Sequence, residues 1–161
     1  MLLELVDPDS PKLGAILDQI RDNRKLWTNY GLRSLAKDAP LYNKRNTEHD
    51  PPYWRGAIWI NINYLALKSL RFYSTIEGPN QEKAARIYAE LRTNIIDNML
   101  KNYETTGYIW EQYNDINGKG QGSHPFTGWS SLVSIILYDM IGVTSPNHYF
   151  AIVLGRLFSS V

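Results

Sequence analysis

Apolar positions recur at helical spacing along several stretches of the chain. From about Lys12 to Arg21, Leu13, Ile16, Leu17 and Ile20 share one face. Pro8, Ser10 and Pro11 precede or open that stretch, with Asp9 or Ser10 as N-cap. From about Arg55 to Ser74 a second pattern, Ile58, Ile62 and Leu65 with Trp59, Ala66, Leu70 and Tyr73, predicts a helix with a broad apolar face, ended by Gly78-Pro79. A third runs from about Asn80 to Glu104. Ala84, Ile87, Leu91, Ile95 and Met99 keep the 3.6 period there, and Glu82, Arg86, Glu90 and Arg92 solvate the other side until Gly107 stops it. A fourth helix is expected from about Gly128 to Ile141, and the last residues form a further one. Two stretches have no period, Asp22 to Tyr53 and Tyr108 to Phe126. Loops this long inside a compact chain tend to be functional or disordered. The pattern predicts an all-α fold in which helix pairs alternate with elaborate loops. That suits part of an (α/α)6 toroid, whose loops build a site at one end.

Composition narrows the possibilities. The 161 residues are 43% hydrophobic and 20% charged, a globular balance. The formal net charge of +1 gives no reason to expect nucleic acid or an acidic membrane surface as a partner. No stretch approaches the roughly 20 apolar residues of a membrane span. There is no cysteine, hence no disulfide framework. His49, His124 and His148 have no metal-ligand spacing, so neither metal nor cofactor is expected. Five Trp and eleven Tyr stand out. Such residues fill cores, but beside polar groups they also form surfaces that pack on sugar C–H faces.

Three segments could carry chemistry. In Tyr108-Ile109-Trp110-Glu111-Gln112-Tyr113 a carboxylate stands between aromatics, next to a glycine-rich loop. A general base needs such a rigid, partly shielded place. On residue types alone a surface glutamate beside two packed aromatics fits at least as well. Asp50-Pro51-Pro52-Tyr53-Trp54-Arg55-Gly56 leads into the second helix, where Trp54 and Arg55 could meet a polar ligand or form a rigid structural turn. Gly118-Lys119-Gly120-Gln121-Gly122-Ser123-His124-Pro125-Phe126-Thr127-Gly128-Trp129 reads as a loop whose backbone approaches something closely. It lacks the ending of a phosphate loop, and Lys119 stands where a calcium loop needs an oxygen ligand.

Together, PPYWRGAIWININYLALKSLRFY, GYIWEQYND and GKGQGSHPFTGWSSLV, in that order, resemble the C-terminal part of glycoside hydrolase family 63, the processing α-glucosidase I group. The likeness runs from about Leu3 to Ile141. It implies an (α/α)6 catalytic domain portion over residues 1–143, followed by an unmatched apolar tail at 144–161. It also implies an inverting α-glucosidase that removes the terminal glucose from the N-glycan precursor in the endoplasmic reticulum, its parent anchored in the membrane. Glu111 of WEQY falls on the family's base. Tyr53, Trp54, Arg55, Trp110, Tyr113, Phe126 and Trp129 fall where the family walls its sugar pocket. No carboxylate here matches the family's catalytic acid. The chain therefore reads as a fragment of such an enzyme, or as a non-catalytic carbohydrate-binding or helical interaction remnant of one.

Overall fold

The computed structural model describes residues 5–139. Helix α1 spans Pro11–Arg21, with the Ser10 hydroxyl accepting from the Lys12 amide and Pro11 opening the first turn. It buries Leu13, Leu17 and Ile20. A two-residue hairpin follows, β1 (Trp27–Thr28) against β2 (Gly31–Leu32), antiparallel with Trp27 opposite Leu32. Helices α2 (Ile60–Thr75) and α3 (Gln81–Thr106) then form the main packed pair, joined by a short turn. A second hairpin, β3 (Gln112–Tyr113) against β4 (Gly120–Gln121), comes next. A 3₁₀ turn at Trp129–Leu132 runs into α4, Val133–Tyr138. The described residues are thus helical, with two minimal hairpins set among the loops.

The core is continuous. Leu13 and Leu17 of α1, Leu67, Leu70 and Tyr73 of α2, and Ala84, Leu91, Ile95 and Met99 of α3 are buried together. Burying a Leu or Ile side chain stabilises the fold by roughly 1.5–3 kcal/mol, so this cluster dominates cohesion. Gly107 ends α3 at φ 73°, and its N–H donates to the Tyr103 carbonyl at 2.8 Å. That left-handed C-cap is where glycine carries no steric cost.

The second helix departs from the sequence reading. It begins at Ile60, not Arg55. Pro51 and Pro52, a positive φ at Tyr53 (51°) and another at Gly56 (143°) keep the preceding backbone out of helical geometry. Ile58 is extended instead. Its N–H donates to the Tyr113 carbonyl (2.8 Å), the Tyr113 N–H donates back to Ile58 (3.0 Å), and Ile58 bridges to Arg33 on its other side.

The helix face is also corrected. Ile62 and Leu65 were expected inward but are 40% and 51% exposed. The buried stripe is Ile60, Asn63, Leu67, Leu70 and Tyr73. The side chain of Asn63 accepts from the Leu32 amide (2.7 Å) and donates to the carbonyls of Leu32 and Trp59. A buried amide with these partners ties α2 to the first hairpin. The last helix starts as a 3₁₀ turn and becomes α-helical at Val133 rather than Gly128. Its expected end at Ile141, the further helix and the 144–161 tail lie outside the described residues.

Candidate active site

Glu111 directly precedes β3 and is 9% exposed. Its Oε1 accepts from the Tyr53 hydroxyl at 2.5 Å, and its Oε2 accepts from the Ser123 amide at 3.0 Å. The Glu111 N–H in turn donates to the Ser123 carbonyl. Two side chains hold the backbone from the other side. The Trp129 indole N–H donates to the Glu111 carbonyl (2.7 Å), and the fully buried Ser130 hydroxyl donates to the Trp110 carbonyl (2.6 Å). The Ser123 amide and then the Tyr53 hydroxyl hold the Glu111 carboxyl below the usual glutamate range, against the opposing effect of burial. Among the described residues no cation pairs with it. The result is an ionised carboxylate with neutral donors.

An aromatic wall adjoins it. Trp54 stacks on the fully buried Trp59 at 3.7 Å and 14°. Trp129 lies 5.4 Å from Trp59, and Phe126 lies 4.8 Å from Trp129. Tyr53 meets Trp59 edge-on at 4.6 Å. Trp54 remains 41% exposed, so an indole surface is open to a ligand. A cleft of about 280 Å³ opens next to Tyr53, lined also by Pro52, Gln112, Asn114 and Gly122.

Of the residues the sequence pointed to, Tyr53, Trp54, Phe126 and Trp129 converge here. Three do not take the place expected of them. Tyr113 is fully buried in the core, with its hydroxyl pushed up to about 12 by burial, so it is out of reach of a ligand. Trp110 points away from the carboxylate. Its ring packs on Gly120 and on His124 (3.8 Å), its N–H donates to Thr106, and it borders a different cleft with Tyr30, Asn98 and Asn102. Arg55 donates to the carbonyls of Lys44 and Arg45, which fixes the 43–55 loop.

The glycines of the 118–128 loop do approach something closely, and it is the protein's own side chains. A Cβ at Gly118 would fall 2.3 Å from Asn98 Oδ1, one at Gly120 2.2 Å from the Trp110 ring, and one at Gly122 2.5 Å from Glu111 Oε2. The last of these seats the loop directly against the carboxylate.

Residues 1–139 match the sequence profile of the glycosyl hydrolase family 63 C-terminal domain. The chain belongs to glycosyl hydrolase family 63. A mannosyl-oligosaccharide glucosidase of Arabidopsis thaliana is 54% identical over 135 residues, 84% of this chain and 16% of that protein. The mannosyl-oligosaccharide glucosidase of Saccharomyces cerevisiae is 38% identical over 140 residues, again 84% of this chain and 16% of its relative. The chain thus spans a small part of the length of the relatives it matches. A solved family 63 mannosylglycerate hydrolase from Thermus thermophilus, in complex with glucose, superposes with a TM-score of 0.51. It is 24% identical and covers 79% of this chain and 27% of that one. At that identity the likeness concerns the fold alone.

In this family 63 domain, sequence reasoning missed Trp59, Ser123 and Ser130 as parts of the site. Trp59 could have been found as the next aromatic after the Tyr53-Trp54 pair, five residues beyond Trp54. Ser123 and Ser130 act through a backbone amide and a buried hydroxyl, which residue type does not announce.

Proposed function

We propose that this domain supplies the water-activating side of an inverting α-glucosidase site. The substrate is the glucose-capped N-glycan precursor, its terminal glucose is removed, and Glu111 is the general base. The observation that carries the reading is the state of that carboxylate: ionised, nearly buried, without a cation, and next to an open indole surface. The Ser123 and Tyr53 donors keep it ionised at neutral pH, as a proton acceptor must be, while lowering its basicity.

The chemistry then follows the inverting scheme. Glu111 takes a proton from a water, the water oxygen bonds to the anomeric carbon, and the glycosidic C–O bond breaks on the opposite face. A second carboxyl, roughly 6.5–9.5 Å from the first in enzymes of this kind, protonates the leaving oxygen. Asp115 does not suit that role, because it is committed to Arg33 and Tyr42. We assign the acid to a part of the catalytic domain outside this chain, which would form one arc of a helical toroid. Trp54, Trp129 and Phe126 would hold the sugar and exclude bulk water. The names of the relatives support N-glycan processing, and with it the endoplasmic reticulum as the place of action. The parent's membrane anchor stays part of this proposal; among the described residues no helix is long and apolar enough to cross a membrane.

The test is a chimera in which this chain replaces the matching part of the Arabidopsis relative. It is expected to release glucose from a triglucosylated glycan, and Glu111→Gln is expected to abolish that release while glycan binding persists. Full activity of the Glu111→Gln chimera would end the assignment. A second reading, a carbohydrate-binding remnant, is favoured by the aromatic wall lying wholly within the chain. It predicts binding of the glycan by the chimera with no Glu111-dependent turnover.

A further inference from the structure

Tyr53 is held more tightly than a pocket wall requires. It follows two prolines and adopts φ 51°, a left-handed conformation that non-glycine residues avoid. Such outliers persist where the surroundings over-determine them, and they cluster at functional sites. Here the surroundings do so. The Tyr53 carbonyl accepts from the Trp59 indole N–H (3.3 Å), and its ring meets Trp59 at 86° and Trp54 at 82°. These contacts direct the phenol to one atom, Oε1 of Glu111, at 2.5 Å.

We propose that Tyr53 is a positioning residue that acts through its hydroxyl, fixing the orientation and charge state of Glu111, rather than a residue that contacts the sugar. The proposal rests on Glu111 being the base. The groups facing that carboxylate are Tyr53 from the 51–59 segment, Ser123 from the end of the second hairpin, and Trp129 and Ser130 from the 3₁₀ turn behind its backbone. Tyr53 is the titratable one among them. Its own ionisation is pushed upward, chiefly by the hydrogen bond to Glu111. It therefore stays a donor at neutral pH. A hydrogen bond donated to the ionised form of an acid favours that form, so losing it makes Glu111 protonate at higher pH.

The test compares Tyr53→Phe with the unmodified chimera. The acidic limb of the kcat/KM profile, which reports the free enzyme's base, is expected to move to higher pH, with KM changed by no more than about twofold. Incorporating 3-fluorotyrosine at position 53 strengthens the donor, and the limb is expected to move the other way. This second protein decides the matter if Tyr53→Phe does not fold. A raised KM with an unmoved limb in either protein would show a sugar-contacting role and overturn the proposal. The Glu111→Gln control separates the two readings. If it is inactive and the Tyr53 limb does not move, the tyrosine proposal fails alone; if it is active, both fall.

Discussion

Glu111 and Asp115 stand on either side of β3, and each accepts a 2.5 Å hydrogen bond from a tyrosine hydroxyl, Tyr53 for the first and Tyr42 for the second. What differs is the second partner. Asp115 meets the Arg33 guanidinium at 2.7 Å, with both side chains about nine-tenths buried. That same guanidinium donates to the carbonyls of Asn23, Lys25 and Trp27. Glu111 has a backbone amide instead. A carboxylate neutralised by a buried arginine is a fastener between loops. One stabilised by neutral donors keeps its negative charge available to a water. Proximity to the site does not separate the two; the counter-ion does.

Substitution at each carboxylate gives the largest expected effects. In the chimera, Glu111→Gln is expected to lower kcat by about 10²–10⁴-fold, the range of general base catalysis, with a small drop in the thermal midpoint. Asp115→Ala is expected to do the reverse. It leaves Arg33 buried without a counter-charge, at a cost of about 3–5 kcal/mol read as a lowered unfolding midpoint, and any loss of activity should follow the loss of fold. If the Asp115 variant stays fully stable but loses turnover, the roles assigned to the pair are interchanged. Gly122→Ala probes the site from the loop side. Its Cβ would enter the space of Glu111 Oε2, at a backbone φ of 76°. Displacing the carboxylate by a fraction of an ångström is expected to cost roughly 10-fold or more in kcat. Gly118→Ala, which clashes with Asn98 and Tyr30 instead, should cost stability first.

The smallest effect concerns pH. The Glu111 carboxyl titrates lower in the folded protein than an ordinary glutamate does in the unfolded chain. Its contribution to stability is therefore complete above the unfolded pKa and is lost as pH falls through the lowered folded pKa. The melting-temperature gap between the wild-type and Glu111→Gln chimeras should be constant near neutrality and shrink in acid. A gap that widens in acid would mean that the carboxylate is destabilised by burial.

The regular part of the fold was legible in the sequence, because α1 and α3 show apolar positions at one period and end in recognisable caps, Ser10 and Gly107. The start of α2 was not. Ile58 and Trp59 continue an apolar spacing that suits a helix, and nothing local says that Ile58 pairs with Tyr113 across more than fifty residues of chain. The inward face of α2 was misread for a related reason. The helix carries apolar residues all round, so Ile62 and Leu65 were as plausible as Ile60 and Leu67, and the deciding residue, Asn63, is polar. Glu111 emerged from its motif, but its donors did not. One is a backbone amide, and the other is a tyrosine that the motif marks only as pocket wall. Trp110 was drawn into the site by its place next to Glu111, but its ring packs on His124 and Gly120 instead.

Ile58 has a consequence for how the site meets a ligand. As a single extended residue bonded to Tyr113 and bridged to Arg33, it links the first hairpin, the Tyr53 segment and β3, which Glu111 directly precedes. Among the described residues, the loops around Glu111 are therefore laced together by main-chain bonds. On the proposed function, a sugar arriving at this wall would find it already assembled. Its association should follow a single concentration-dependent phase, and the amides of Ile58 and Tyr113 should exchange with solvent as slowly as those inside the helices.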